Sequence, residues 1–128
     1  MPIGTVAAII ERKDKFLLIQ RNNQPFKGEW VFPGGHIEHF ESAQEAVIRE
    51  VKEETNVVFK PTFFQAFDEI FPEFKWHALV MVFSGTFTGT MKIKEDEVQD
   101  AKWVSKEEIK KMKLGFEHNK IFSEFLKK

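Results

Sequence analysis

The chain has 128 residues, 19 basic against 20 acidic side chains, a formal net charge of -1 and no cysteine. That length supports one sizeable core and falls short of two ordinary ones, so a single domain over residues 1–128 is expected. The charge balance offers no broad basic face for a nucleic-acid polymer or an anionic membrane, and the missing cysteines exclude disulfides, thiolate zinc sites and cysteine nucleophiles.

The first 15 residues carry a short apolar run without a basic leader or a small-residue cleavage site, and no apolar stretch reaches the ~20 residues of a membrane helix. A cytoplasmic location is expected. Residues 5–10 are β-branched or small and apolar, 11–15 are charged, and 16–19 are apolar again, which predicts a β-hairpin. The polar stretch 21–27, with Pro25, reads as a loop leading through Gly28 to a short strand at 30–32. Pro33, Gly34 and Gly35 are expected to break regular structure, with glycine backbone angles that let the main chain approach a ligand.

Ser42 followed by Glu45 is a capping-box pattern, so a helix should start there. Ala43, Ala46, Val47, Val51 and Ile48 give it an apolar stripe, and Asn56 is a suitable stop because asparagine tolerates the left-handed conformation. Residues 57–71 read as β structure interrupted at Pro61, 71–76 as a turn, and 78–83 as a strand covered on both faces. The stretch 92–100 is a charged connection and 101–104 a short strand. Ser105 and Glu108 form a second capping box opening a helix through Met112, and 117–126 is a terminal helix with Ile121, Phe122, Phe125 and Leu126 on one face. Strands mixed with helices indicate a layered α/β or α+β domain.

Glu50, Glu53 and Glu54 fall within little more than one helical turn, close enough for their charges to repel. A hard divalent cation such as Mg2+, shared between protein carboxylates and substrate phosphates, accounts for such crowding. A solvated helix face with Arg49 and Lys52 as partners accounts for it as well.

Gly35, five residues, Glu41, seven residues, and then Arg49-Glu50-Val51-Lys52-Glu53-Glu54-Thr55-Asn56-Val57 resemble the signature of the Nudix hydrolases. The flanks, from the first hairpin through WVFPGG to DAKWVSKEE, extend the resemblance over nearly the whole chain. Two positions depart from the signature. Asn56 replaces its last glycine, which should preserve the helix stop, and Phe40 stands where a glycine is frequent, which should reshape the mouth of the loop.

The resemblance implies a Nudix fold, a mixed β-sheet sandwiched between helices. It implies hydrolysis by water within the diphosphate of a nucleoside diphosphate derivative, with Mg2+ as cofactor and Mn2+ as a substitute. ADP-ribose or a nucleotide sugar is the expected substrate type, from the RNNQPFKGEWVFPGG lead-in and Pro72; a nucleoside triphosphate pyrophosphohydrolase, including one that removes oxidised nucleotides, is the enzymatic alternative. A nucleotide sensor without catalysis is the alternative of another class, and a homodimer is an option that the resemblance brings with it. Residue by residue, it implies Glu50 and Glu54 as metal ligands and Glu53 as a further ligand or water-positioning base. Arg49 then holds Glu53, Glu41 supports the helix start, and the Gly34 carbonyl joins the metal shell. Because some members take their base from a loop across the site, Glu97 is a candidate base, ahead of Glu95. Arg21 at a strand end is a candidate phosphate clamp, with a surface salt bridge as the alternative, Gly35 and His36 lie beside the metal loop, and Phe26, Trp30, Phe74 and Trp76 flank loops where a base could stack, with core packing as the alternative. His118 and Asn119 are readable as base or sugar contacts or, more simply, as helix-capping polar residues.

Overall fold

The computed structural model describes residues 1–128. Its elements run β1 (Ile3–Arg12), β2 (Lys15–Arg21), β3 (Trp30–Val31), β4 (Gly34–His36), α1 (Ala43–Thr55), β5 (Val58–Phe71), a 3-10 turn (Pro72–Phe74), β6 (Trp76–Thr88), β7 (Val98–Ser105), α2 (Lys106–Lys111) and α3 (His118–Leu126). The sheet order is β3-β2-β1-β6-β5, with β4 also pairing β1 and β7 pairing β2. β1 and β6 are parallel and the other pairs antiparallel, so the sheet is mixed.

Strand alternation decides what each face meets. Val6, Ala8 and Ile10 of β1 point to one face and pack with Ala46, Val47 and Val51 of α1. Ala7 and Ile9 point to the other and pack with Ile109 of α2 and Ile121 and Phe122 of α3. The sheet is therefore sandwiched between helices, as the resemblance implied. No helix is long and apolar enough to cross a membrane.

The start and stop of α1 follow the local chemistry of its ends. Glu45 N donates to Ser42 Oγ at 3.1 Å and Ser42 N donates to Glu45 Oε1 at 2.9 Å, the two bonds of a capping box. Asn56 closes the helix at φ 69°, its N–H bonded to the Lys52 carbonyl. Ser42→Ala removes the side-chain half of the box and should cost about 1 kcal/mol. A urea titration reads this directly, and an unchanged midpoint would mean that solvent replaces the cap.

Several elements differ from expectation. Gly34 and Gly35 form a strand rather than a break, paired with Ala7 and Val6, and neither adopts a positive φ. They are needed for space: a Cβ on Gly34 would run into the Val6 carbonyl, and one on Gly35 into the Glu50 carboxylate. Pro61 does not interrupt β5, because β5 is an edge strand, where a residue without an N–H is tolerated; the irregularity falls between Phe63 and Gln65. β6 is longer than the apolar run and is not covered on both faces, since Ala78, Val80 and Val82 are buried while Leu79 is exposed. β7 begins at Val98, because its pairing with β2 carries regular structure through the polar residues. At Ser105 only half of a capping box forms, with Ser105 Oγ accepting from Glu108 N.

Candidate active site

Glu50 and Glu54, one turn apart on α1, face β4. Glu54 is buried, and Gly34 N donates to its Oε1 at 3.2 Å. Beneath them Arg49 acts as a hub. Its Nε and Nη2 grip Glu41 at 2.7 and 3.0 Å, Nη2 also reaches the His36 carbonyl at 2.9 Å, and Nη1 donates to Glu50 at 3.0 Å and Glu53 at 3.1 Å. Bidentate Arg–carboxylate pairing fixes orientation as well as distance. Arg49 thereby ties the loop before α1 to the acidic edge of the helix.

The carbonyls at the end of α1 need donors, since a helix leaves its last turn unpaired. Lys92 N donates to Thr55 O at 2.8 Å and Lys94 N to Glu54 O at 3.1 Å. This pins the charged connection across the helix terminus and brings Glu97 to the opening over Glu54. A cleft of about 460 Å³ results, with Glu50, Glu54, Glu97, Gly34 and Gly35 forming its acidic part and the His36 ring edge-on to Trp76 at 5.9 Å.

Electrostatics mark the acidic part as deficient in positive charge. Burial, followed by the nearby Glu50, pushes the Glu54 carboxyl well above its ordinary range. Burial and the adjacent Glu53 push Glu50 up to about 7, against the pull of Arg49. Arg21 also lines the cleft; burial lowers its pKa, partly offset by Glu54 and Glu69. Its Nε is tied to the Pro25 carbonyl at 2.8 Å, and its guanidinium lies 4.8 Å from the centre of the Phe116 ring.

The donors in the acidic part suit a hard divalent cation. They are oxygens throughout, Glu50 shares the single Arg49 cation with Glu41 and Glu53 while Glu54 has no ion-pair partner, and the absent Gly35 side chain leaves room for Glu50. No three His, Asp or Glu side chains form a closed metal cage. Two carboxylates with positions left for water and phosphate oxygens is the ligand pattern that Mg2+ favours.

The structure separates the other expected residues. Glu41 and Glu53 lie outside the cleft lining and are held by Arg49. Phe26 is also outside, packed behind the wall against Phe71, Phe74 and Phe116, and Trp30 packs on the main core with Lys102 over its ring. Trp76 does line the cleft, 5.1 Å from Phe116. Glu95 does not line it. Asn119 binds Leu114 N and the Met112 carbonyl, so it clamps its own loop. Phe40 leaves the mouth open: it sits at φ 63°, 97% exposed, edge-on to His39.

The sequence reading missed Glu69 and Thr5 and undervalued His118. All three are buried and line the cleft. A usable signal for Glu69 was its spacing of two from Phe67 in a strand, which places it on the same inward face. Burial lowers the His118 pKa to about 3. The unfolded chain takes up this proton near pH 6.5 while the folded one refuses it, so the contribution is complete above about 6.5 and is lost as pH falls toward 3.

The NUDIX domain family matches residues 1–125. An ADP-ribose pyrophosphatase of Methanocaldococcus jannaschii is 33% identical over 98% of this chain and 74% of its own length. A human 8-oxo-dGDP phosphatase is 30% identical over 77% of this chain, which corresponds to 30% of that protein. Among solved structures, the Nudix domain of Shewanella oneidensis NrtR complexed with ADP ribose superimposes with a TM-score of 0.85 at 25% identity, covering 99% of this chain and 88% of that one. An acidic helix edge, a glycine strand against it and an open cleft define a hydrolase of the Nudix class. The chain belongs to the Nudix family, whose hydrolases generally use a divalent metal.

Proposed function

We propose that this protein hydrolyses the diphosphate bond of ADP-ribose or a closely similar nucleoside diphosphate derivative, with Mg2+ as the working ion and Mn2+ as a substitute. The observation that carries the reading is one cleft that brings together Glu50 and Glu54, Arg21 and the aromatic wall of Trp76 and Phe116. A substrate with a diphosphate in the middle and a ring system at one end matches that combination of surfaces. The similarity to the M. jannaschii pyrophosphatase over most of both chains supports the same substrate.

The residues divide the task. Glu50 and Glu54, with the Gly34 carbonyl, would hold the cation, which when bound supplies charge neutralisation and a more acidic water. Glu97 accepts a proton from the attacking water, and Arg21 offsets charge on the departing phosphate. Arg49 and Glu41 keep Glu50 and Glu53 in register. Water adds to one phosphorus, the bridging P–O bond breaks, and the bridging oxygen leaves with the other phosphate.

The similarity to an 8-oxo-dGDP phosphatase favours oxidised nucleotides as a second reading. Product analysis separates the two. Conversion of ADP-ribose to AMP and ribose 5-phosphate, in preference to hydrolysis of 8-oxo-dGDP or of nucleoside triphosphates, is the expected result. Preference for the oxidised nucleotide would replace the first reading with the second. Turnover of none of them alongside tight binding of one would favour a sensor.

A further inference from the structure

The cleft also holds three polar side chains that the hydrolytic reading leaves without a task. Glu69, His118 and Thr5 are only 2%, 5% and 6% exposed, and all line the cavity. Phe32 N donates to His118 Nδ1 at 3.0 Å, so Nδ1 is unprotonated and the ring proton sits on Nε2. His118 Nε2 lies 3.8 Å from Glu69 Oε2, too far for the two to satisfy one another. The Glu69 oxygens accept only long bonds, from Trp76 Nε1 at 3.4 Å and Glu117 N at 3.3 Å, and retain free lone pairs. Thr5 Oγ1 has no hydrogen-bond partner, and it is the only buried side-chain polar atom in the protein without one.

Thr5 and Glu69 share a face of the sheet, and His118 at the start of α3 comes within 3.8 Å of Glu69. Thr5 and Phe67 both pair with Val80, from opposite sides, and Glu69 lies two residues along β5 from Phe67. A buried hydroxyl without a partner destabilises the free protein and calls for an explanation. A ligand that completes the bond supplies one.

We propose that Thr5, Glu69 and His118 form a hydrogen-bonding subsite that reads the edge of the substrate's nucleobase and selects a purine with a 6-amino group. This rests on the reading that the cleft takes a nucleoside diphosphate derivative. His118 Nε2 is a fixed donor and the Glu69 carboxylate an acceptor beside it. Their complement is an aromatic edge offering a ring-nitrogen acceptor next to an amino donor, as N1 and N6 of adenine do. In the same pose hypoxanthine sets its N1 hydrogen against the His118 donor and its carbonyl against the carboxylate, a mismatch at both contacts. The Thr5 hydroxyl is free to donate to a further ring nitrogen, and Trp76 and Phe116 supply an aromatic wall for the ring face.

Calorimetric titration of AMP, IMP and ribose 5-phosphate into the full chain, in Mg2+ buffer, tests the subsite without requiring turnover. Wild type should bind AMP at least about tenfold more tightly than IMP. In Glu69→Gln the amide presents either a donor or an acceptor, so the ratio should approach one while ribose 5-phosphate affinity is unchanged. Thr5→Val should raise the melting temperature of the free protein and weaken AMP binding several-fold, a combination that a purely structural threonine does not give. Equal affinities in wild type, a ratio that survives Glu69→Gln, AMP affinity untouched by Thr5→Val, or no AMP binding at millimolar concentration would overturn the proposal. ADP-ribose left intact alongside clear AMP over IMP selection would instead defeat the hydrolytic reading and leave the subsite standing.

Discussion

Glu54→Gln is expected to lower diphosphate hydrolysis by roughly 10²–10³-fold, the usual cost of losing one preorganised group that faces developing charge, while the fold stays intact. Glu54 is buried with its pKa raised by burial and by Glu50, so in the free protein its charge is a liability. Glutamine keeps the shape and can still accept from Gly34 N, the one protein hydrogen bond that Glu54 makes through its side chain. Without metal the variant should therefore melt at the same temperature as wild type or higher, because an uncompensated buried charge has been removed. Steady-state hydrolysis of ADP-ribose and a melting curve in EDTA read the two halves. A variant that melts lower yet keeps full activity would identify Glu54 as structural.

The two neighbouring glycines should separate stability from activity. A Cβ at Gly34 meets the backbone carbonyl of Val6, which has nowhere to go because β1 is paired on both sides and buried. Gly34→Ala should cost ~3 kcal/mol or more, the upper end of what overpacking does. At Gly35 the obstacle is the end of the Glu50 side chain, which can swing away. Gly35→Ala should cost only about 1 kcal/mol but displace Glu50 from the position that Arg49 gives it, so hydrolysis should fall steeply. Urea midpoints and kcat for both variants check this. Equal losses of stability, or an active Gly35→Ala, would show that close packing of β4 against Glu50 is not what positions the carboxylate.

The parts of this molecule legible in the sequence are those decided within a turn or two of chain. The capping box at Ser42, the stop at Asn56 and the pairing of Arg49 with Glu53 involve residues three or four apart, and local chemistry settles them. Strand limits were less legible because a partner sets them. β7 extends through Gln99 and Asp100 since β2 offers a ladder, and β5 passes Pro61 since its outer edge is unpaired. The group of Thr5, Glu69 and His118 in the cleft was the least legible. The tautomer of His118 depends on an amide 86 residues earlier in the chain, and the isolation of Thr5 Oγ1 appears only once β1 is flanked by β4 and β6. Aromatic residues misled for another reason: with 15 phenylalanines, flanking a loop says little about facing a cleft, and Phe26 and Trp30 turned inward to support the wall.

Mg2+-dependent melting temperature at two pH values tests most directly whether Glu50 and Glu54 seat a divalent cation. Glu50 titrates at about 7 in the folded chain, raised above its ordinary 4.5. Its contribution to the stability of the free protein is therefore present below about 4.5 and lost as pH rises through 7. A cation needs the ionised carboxylate, so it must displace a proton at pH 6 and need not at pH 8. Saturating Mg2+ should raise the melting temperature of wild type by at least ~2 °C at pH 8, by less at pH 6, and not at all in Glu54→Gln. An identical Mg2+ response in wild type and Glu54→Gln, or no response in either, would contradict the assignment.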